Sequence, residues 1–153
     1  MVNRFLKLFT AFFLVILTTL PACKDDDNPA DTNNSGCEIS AKVDGADFCG
    51  MANFVRDGST AVMTINGINS TTKEAIQFTI NNSGVGNFDL GSGIYFGGYT
   101  SGSQEVFIAQ SGSLVITQLD DKTCKGTFSF IGKSISSGQT KSITNGVFTA
   151  KKI

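Results

Sequence analysis

The sequence predicts an all-β protein whose antiparallel, up-and-down strands close into a sandwich or a flattened barrel. From Cys37 onward apolar and polar residues alternate with a period of two, which is typical of half-buried strands. Gly, Ser, Thr and Asn are abundant and Pro occurs only twice, a composition that suits short strands joined by tight turns. Downstream of the N-terminal leader no segment has the apolar stripe of an amphipathic helix.

The first element is a secretory signal peptide. Arg4 and Lys7 precede an apolar run over residues 8–20, which is too short for a membrane span. Leu20-Pro21-Ala22-Cys23 then matches a bacterial lipobox at its Leu, small-residue and Cys positions. We therefore expect residues 1–22 to be removed and Cys23 to be lipidated, which anchors the chain to a membrane. The alternative is an ordinary signal peptide followed by a chance cysteine.

The second element is an acidic tether over residues 23–36. Lys24-Asp25-Asp26-Asp27 resembles the export signal that follows the lipidated Cys in Bacteroidota surface lipoproteins, and the resemblance implies an outer-membrane protein that faces outward. A solvated acidic run without address function is the plainer interpretation, and the two are compatible. Residues 37–153 then form a single all-β domain.

The domain begins with a hairpin. Asp44-Gly45 is a strong two-residue turn signal between the first two strands. Further on, a glycine-rich loop over residues 81–93 is expected to pack Phe88 and Leu90 inward. Nine strands are predicted, at residues 38–44, 46–55, 60–68, 74–80, 94–100, 104–110, 113–119, 124–131 and 141–150.

Two Asn-Gly pairs lie inside predicted strands, Asn66-Gly67 and Asn145-Gly146. Hairpin turns there would leave very short strands, so a one-residue bulge with Gly at positive φ is favoured at each pair. A bulge at each pair also brings the flanking apolar residues onto one face. The core is expected to contain Phe54, Ile65, Ile76, Phe78, Ile80, Ile116, Phe128, Phe130, Ile143 and Phe148.

Three cysteines remain after lipidation, and an exported chain permits a disulfide between two of them. Cys37 and Cys124 each share a face with the apolar residues of their strands, whereas Cys49 is out of phase with its neighbours. This parity favours a Cys37–Cys124 bridge. The other two pairings, or three free thiols, stay open.

Three segments of the C-terminal half and one near the domain start carry a family likeness: Gly112–Asp120, Lys125-Gly126-Thr127-Phe128-Ser129-Phe130, Ser142-Ile143-Thr144-Asn145-Gly146-Val147-Phe148 and Lys42-Val43-Asp44-Gly45. With these residues the chain resembles a family of uncharacterised Bacteroidota lipoproteins. The resemblance implies a location and an architecture. It carries over no catalytic residue, since the family has no established activity.

The composition excludes several chemistries. The sequence has no His, so no Ser-His or Cys-His catalytic pair and no histidine metal site can form. Asp120-Asp121 is expected to be a solvated turn, because adjacent carboxylates on a turn point apart. No catalytic residue, metal or cofactor is predicted, and the absence of a basic patch argues against nucleic acid as a partner.

One stretch suggests ligand binding. If Ile94 and Phe96 face the core, Tyr95 and Tyr99 face outward across Gly97 and form a flat platform for a sugar ring or a peptide. The alternative is a tyrosine that merely reaches water at a barrel rim.

The sequence thus predicts a surface-exposed lipoprotein with a non-catalytic binding or display domain rather than an enzyme. One alternative is a carrier that holds an apolar ligand inside a lipocalin-like barrel. Another is an accessory protein of an outer-membrane glycan-utilisation system. Neither a protein partner nor a glycan partner can be chosen from the sequence.

Overall fold

The computed structural model describes residues 36–81 and 84–153, which form an all-β domain. The predicted signal peptide, Cys23 and the acidic residues 24–27 lie outside the described residues. Nine strands are present in the described part: β1 Ile39–Val43, β2 Ala46–Arg56, β3 Met63–Ile68, β4 Ala75–Ile80, β5 Gly86–Asp89, β6 Phe96–Thr100, β7 Val106–Leu119, β8 Thr123–Ser134 and β9 Thr140–Lys152.

Eight of these strands close into a barrel. The order is β1-β2-β3-β4-β6-β7-β8-β9, each strand pairs antiparallel with the next, and β9 pairs back onto β1. Up-and-down closure of this kind removes the free strand edges that an open sheet would expose. The predicted fold class is therefore confirmed, with a barrel rather than a sandwich. The short β5 is an addition that pairs with the second half of β7.

Aromatic rings fill the barrel interior. All ten predicted core residues are buried, and so are Phe88 and Leu90. The Phe78 ring packs against the rings of Phe128 and Phe130, with centroids 5.0 and 6.0 Å away. An eight-stranded barrel is just wide enough for its own side chains to fill, and here phenylalanines do so together with aliphatic side chains.

The strand pattern differs from the prediction around β7. Residues 104–110 and 113–119 were predicted as two strands, but residues 106–119 form one continuous strand. Its pairing with β8 shifts register between Ala109 and Ser111, so Gln110 is an extra residue in the ladder. Period-two alternation breaks at such a bulge, and the sequence pattern therefore suggested an end to the strand.

The turn predictions have mixed outcomes. Asp44 and Gly45 both adopt positive φ, 48° and 87°, as a tight primed hairpin turn requires. The bulge at Asn145-Gly146 is confirmed by the register shifts of β9 against β1 and β8, although Asn145 takes the positive φ of 53° instead of the glycine.

The prediction of a bulge at Asn66-Gly67 is wrong. The pairing of β3 with both neighbours is uninterrupted there, and Ile68 simply faces solvent. Gly67 lies on the inward face with Met63 and Ile65, and glycine is required there because a Cβ would lie 2.6 Å from the Ile39 side chain.

The predicted Cys37–Cys124 bridge is also wrong. Cys37 bonds to Cys49, with a Cα–Cα distance of 5.3 Å, and Cys124 is a buried free thiol. The parity argument failed because β1 begins only at Ile39, so the alternation of that strand does not extend back to Cys37. Burial raises the pKa of the Cys124 thiol to about 11.

A glutamate completes the ladder where β1 begins. β2 continues past the start of β1, and the tail of β9 runs beside it there, with Asn53 paired to Lys151. Glu38 bridges this junction: one carboxylate oxygen accepts the Ala52 N–H at 2.9 Å and the other pairs with the Lys151 ammonium. The Lys151 and Ala52 hydrogen bonds, in that order, lower the pKa of Glu38. The carboxylate thus supplies an acceptor that the strand does not.

Candidate functional site

The barrel wall has an irregularity between β6 and β7. Asp89 pairs with Ser113 and Gly98 pairs with Ile108, so residues 90–97 lie opposite the much shorter segment 109–112 of β7. The excess residues cannot stay in the ladder. They leave it as a loop over residues 90–95, and the bulge at Gln110 lies directly across from this loop.

Hydrogen bonds within the loop hold its shape. Asp89 Oδ1 accepts the Gly91 N–H at 2.8 Å, and the Ser92 hydroxyl donates to the Asp89 carbonyl at 2.7 Å. Gly93 adopts a φ of 75°, a conformation that favours glycine. A Cβ at Gly91 would lie 3.0 Å from the Gln110 carbonyl oxygen, so the loop passes close over β7.

A pocket of about 390 Å³, here called the wall pocket, lies under this loop. The buried side chains of Leu90 and Ala109 contribute to its lining. Its other residues are mostly apolar or glycine, and no charged side chain lines it: Gly91, Gly93, Ile94, Tyr95, Phe96, Ile108 and Gln110. The wall pocket therefore suits an uncharged ligand with apolar faces.

Phe96 lies over Gly98 on the outer surface of the barrel and contributes to the lining of the wall pocket. A Cβ at Gly98 would lie 2.9 Å from the Phe96 Cζ, so the ring rests on the glycine backbone. Only a residue without a side chain at position 98 permits this arrangement. The tip of the aromatic ring thus covers Gly98, and the side chain as a whole is half-buried.

The predicted tyrosine platform does not form. Tyr99 is 3% exposed and points into the barrel, where its hydroxyl donates to Glu74, while Tyr95 packs edge-on against Phe88 with centroids 5.2 Å apart. Burial, and then the hydrogen bond to Glu74, raise the pKa of Tyr99. The inward and outward faces predicted for residues 94–99 are the wrong way round, because residues 94 and 95 belong to the loop and strand alternation begins only with β6 at Phe96. Ile94 faces out, and Tyr95 alone of the two tyrosines lines the wall pocket.

A family model described as a domain of unknown function, DUF6252, matches residues 38–150. The chain belongs to this family. The match covers most of the span in which the sequence resemblance was found, and it brings no activity with it. Neither a curated protein nor a solved structure matches the chain.

A polar cluster in the DUF6252 domain lies apart from the wall pocket, at the end of the barrel that holds the β6–β7 and β8–β9 turns. Glu105 Oε1 accepts hydrogen bonds from Ser134 and Ser137, each at 2.5 Å, and from Ser136 at 3.4 Å. These hydroxyls, Ser134 first, lower the pKa of Glu105. A carboxylate that is satisfied in this way ties two turns together and is a weak base near neutral pH.

The described part of the DUF6252 domain offers little else for chemistry. It holds no group of three or more His, Cys, Asp or Glu side chains that could bind a metal. It contains no helix long and apolar enough to cross a membrane. Asp120 accepts the backbone N–H groups of Lys122 and Thr123, each at 2.8 Å, as a turn residue does.

Sequence reasoning missed Phe96, Ile108 and Gln110 as pocket residues. Ile108 and Gln110 lie in a segment that alternates like any other strand, and only the pairing of β7 with β6 brings them beside the loop. The glycine pair Gly97-Gly98 next to an aromatic residue was the available signal, since a strand glycine often marks a close approach.

Proposed function

We propose that this chain is a cell-envelope lipoprotein, anchored at Cys23 to the outer membrane and facing outward, whose barrel is a non-catalytic binding domain with its site at the wall pocket. The single observation that carries the binding proposal is the wall pocket itself. It is a cavity of about 390 Å³ without charged side chains, built by a hydrogen-bonded loop over a strand bulge. β-Bulges often lie beside functional sites, where they redirect side chains.

The anchoring proposal has two supports. The basic n-region, apolar run and lipobox precede Cys23 in the order that a lipoprotein signal peptide requires. The Cys37–Cys49 disulfide is typical of proteins that fold in an oxidising compartment outside the cytoplasm. The outward orientation depends on the likeness of Lys24-Asp25-Asp26-Asp27 to an export signal.

The filled interior favours this proposal over a carrier. A lipocalin-like carrier needs a cavity within the barrel, whereas here the Phe78 ring of β4 contacts the Phe128 and Phe130 rings of β8 across the interior. A role beside glycan-utilisation machinery remains compatible with a pocket on the outer wall. Catalysis is the weakest candidate, because the chain has no His and the carboxylates of Glu105 and Asp120 are occupied by hydrogen bonds within turns.

Metabolic labelling with a palmitate analogue tests the anchor. The wild-type protein should carry the label and fractionate with membranes, Cys23→Ser should lose both properties, and Cys124→Ala should retain them. Protease added to intact cells should degrade the wild-type domain if it faces outward. A Cys23→Ser protein that keeps its label would contradict the proposal.

A matched pair of isoleucines tests the pocket. Ile108 lines the wall pocket, while Ile131 faces outward on the neighbouring strand β8 and lies outside the pocket lining. Thermal-shift screening of an uncharged small-molecule library should find ligands that stabilise the wild type and Ile131→Lys but not Ile108→Lys. Ligands that stabilise all three proteins equally would place binding elsewhere.

A further inference from the structure

A row of uncharged polar side chains runs across the outer wall toward the wall pocket. The strand register pairs Asn53 with Asn66, Asn66 with Gln77, and Gln77 with Gly98. The Phe96 ring lies over Gly98. We call Asn53, Asn66 and Gln77 the amide row. Gly98 is in turn paired with Ile108, so the next position along this row lines the wall pocket.

A second row runs parallel to the first on the same face. Thr64 pairs with Thr79, and Thr79 pairs with Phe96. The two threonine hydroxyls lie 3.4 Å apart, and the Asn66 amide donates to Asn53 Oδ1 at 3.5 Å. Neither contact is short, so these groups keep hydrogen-bonding capacity for a ligand.

The surface formed by these rows has a clear chemical character. None of the paired positions from Asn53 to Ile108, or from Thr64 to Phe96, carries a charge. A charged residue, Lys151, pairs with Asn53 at the end of the amide row that is far from the wall pocket. Side-chain amides and hydroxyls both donate and accept hydrogen bonds, which matches a partner that is dense in hydroxyl groups. An apolar ligand would leave the amides without partners, at a cost in affinity.

An extended peptide fits this surface less well. Peptides usually bind a sheet by adding a strand to a free edge, and β2, β3 and β4 are each paired on both sides within the barrel. In β6 only Gly98–Thr100 pair with β7, so the free edge there is two residues long, Phe96 and Gly97, which is shorter than a strand. What remains available is a face with an aromatic ring at one end. Adjacent strands lie about 4.8 Å apart, so the three steps from Asn53 to Gly98 span about 14 Å.

We propose that the amide row, the Phe96 ring and the wall pocket form one continuous site for a segment of a neutral polysaccharide. In this site a pyranose ring stacks on the exposed part of the Phe96 ring. The side chains of Asn66 and Gln77 form hydrogen bonds with hydroxyls of the neighbouring sugar units, and the wall pocket receives the next unit. This inference rests on the proposed binding function and specifies its ligand class.

Affinity gel electrophoresis of the intact domain tests the ligand class. The panel contains neutral polymers, such as β-glucan, α-mannan, xylan and galactan, and charged ones, such as polygalacturonate and chondroitin sulfate. At least one neutral polymer should retard the protein, and its oligosaccharides should then be titrated calorimetrically. Retardation by charged polymers alone, or by no polymer in an extended neutral panel, would overturn the inference.

Variants test the site. Gln77→Ala should weaken binding of that oligosaccharide about three- to tenfold, as expected for the loss of one or two neutral hydrogen bonds, while Gln139→Ala, an exposed amide in the β8–β9 turn, should not. Phe96→Leu retains an apolar side chain but removes the ring, and should weaken binding by about tenfold with little change in melting temperature. Equal affinities in all four proteins would overturn the inference.

The outcomes separate this inference from the proposed function. If no neutral polymer binds but a small molecule stabilises the wild type and Ile131→Lys and not Ile108→Lys, the wall pocket is a binding site and the polysaccharide assignment is wrong. If Ile108→Lys weakens neither the binding of a neutral polysaccharide nor the stabilisation by a small molecule, both proposals fail.

Discussion

Replacing Glu38 should destabilise the barrel at the junction of β1, β2 and β9. Its side chain is 18% exposed, and the Ala52 N–H that it accepts belongs to a residue that is 3% exposed. Hydrogen bonds to a charged acceptor contribute about 1.5–3 kcal/mol, and losing one leaves the buried N–H without a partner. Because Lys151 is 71% exposed, its ion pair adds at most about 1 kcal/mol. We expect Glu38→Ala to lower the free energy of unfolding by about 2–3 kcal/mol, and Glu38→Gln, which keeps an acceptor oxygen, by about 1 kcal/mol.

The same residue should give the stability a dependence on pH. The pKa of Glu38 is lowered in the folded state, so the carboxylate stabilises the fold at pH values above its ordinary value of 4.5. That contribution is lost as the pH falls through the lowered folded-state value. Urea denaturation of wild type and Glu38→Gln at pH 7, and at steps below pH 4.5, should show the two free energies converging in acid. A constant difference between them across this range, or a Glu38→Ala protein as stable as Glu38→Gln, would refute the reasoning.

Three further predictions concern stability. Gly126→Ala should destabilise the domain by about 3 kcal/mol, because a Cβ there would lie 2.1 Å from a β7 carbonyl oxygen, while Gly58→Ala, with no atom within 4 Å, should change little in urea denaturation. Cys37→Ser should lower the unfolding free energy by about 2–3 kcal/mol, and a reducing agent should lower the wild type equally, since each removes the bridge to Cys49; a non-reduced digest that links Cys37 to another cysteine would contradict this. Asn145→Val should cost about 1–2 kcal/mol in thermal denaturation because residue 145 has a φ of 53°, which β-branched residues avoid, and an unchanged melting temperature would show that the bulge is not needed.

Local alternation predicted most of the barrel. Every predicted core residue is buried, because burial of one face forces the period of two wherever a strand runs without interruption. The hairpin at Asp44-Gly45 was equally local, since the turn type demands those residues. The choice between a sandwich and a barrel depended on β9 returning to β1, a contact between the two ends of the domain.

Most of the errors share one physical cause, a break in strand regularity; the bulge predicted at Asn66-Gly67 is the exception, because β3 runs without interruption there. Alternation before Ile39 did not apply to Cys37, and the loop over residues 90–95 reversed the phase that was assigned to Tyr99. The wall pocket arises from unequal lengths of chain on two paired segments, and this becomes visible only once the register of β6 on β7 is known. A sequence displays periods directly, but it does not display pairing between distant segments.

Backbone amide shift mapping with an oligosaccharide of a neutral polymer is the most direct test that the wall pocket and its adjoining face bind a segment of a neutral polysaccharide. The ¹H–¹⁵N signals that move should cluster at Phe96–Gly98 and at Ile108–Gln110. Shifts centred on the turns that join β6 to β7 and β8 to β9, or no shifts at saturating oligosaccharide, would contradict it.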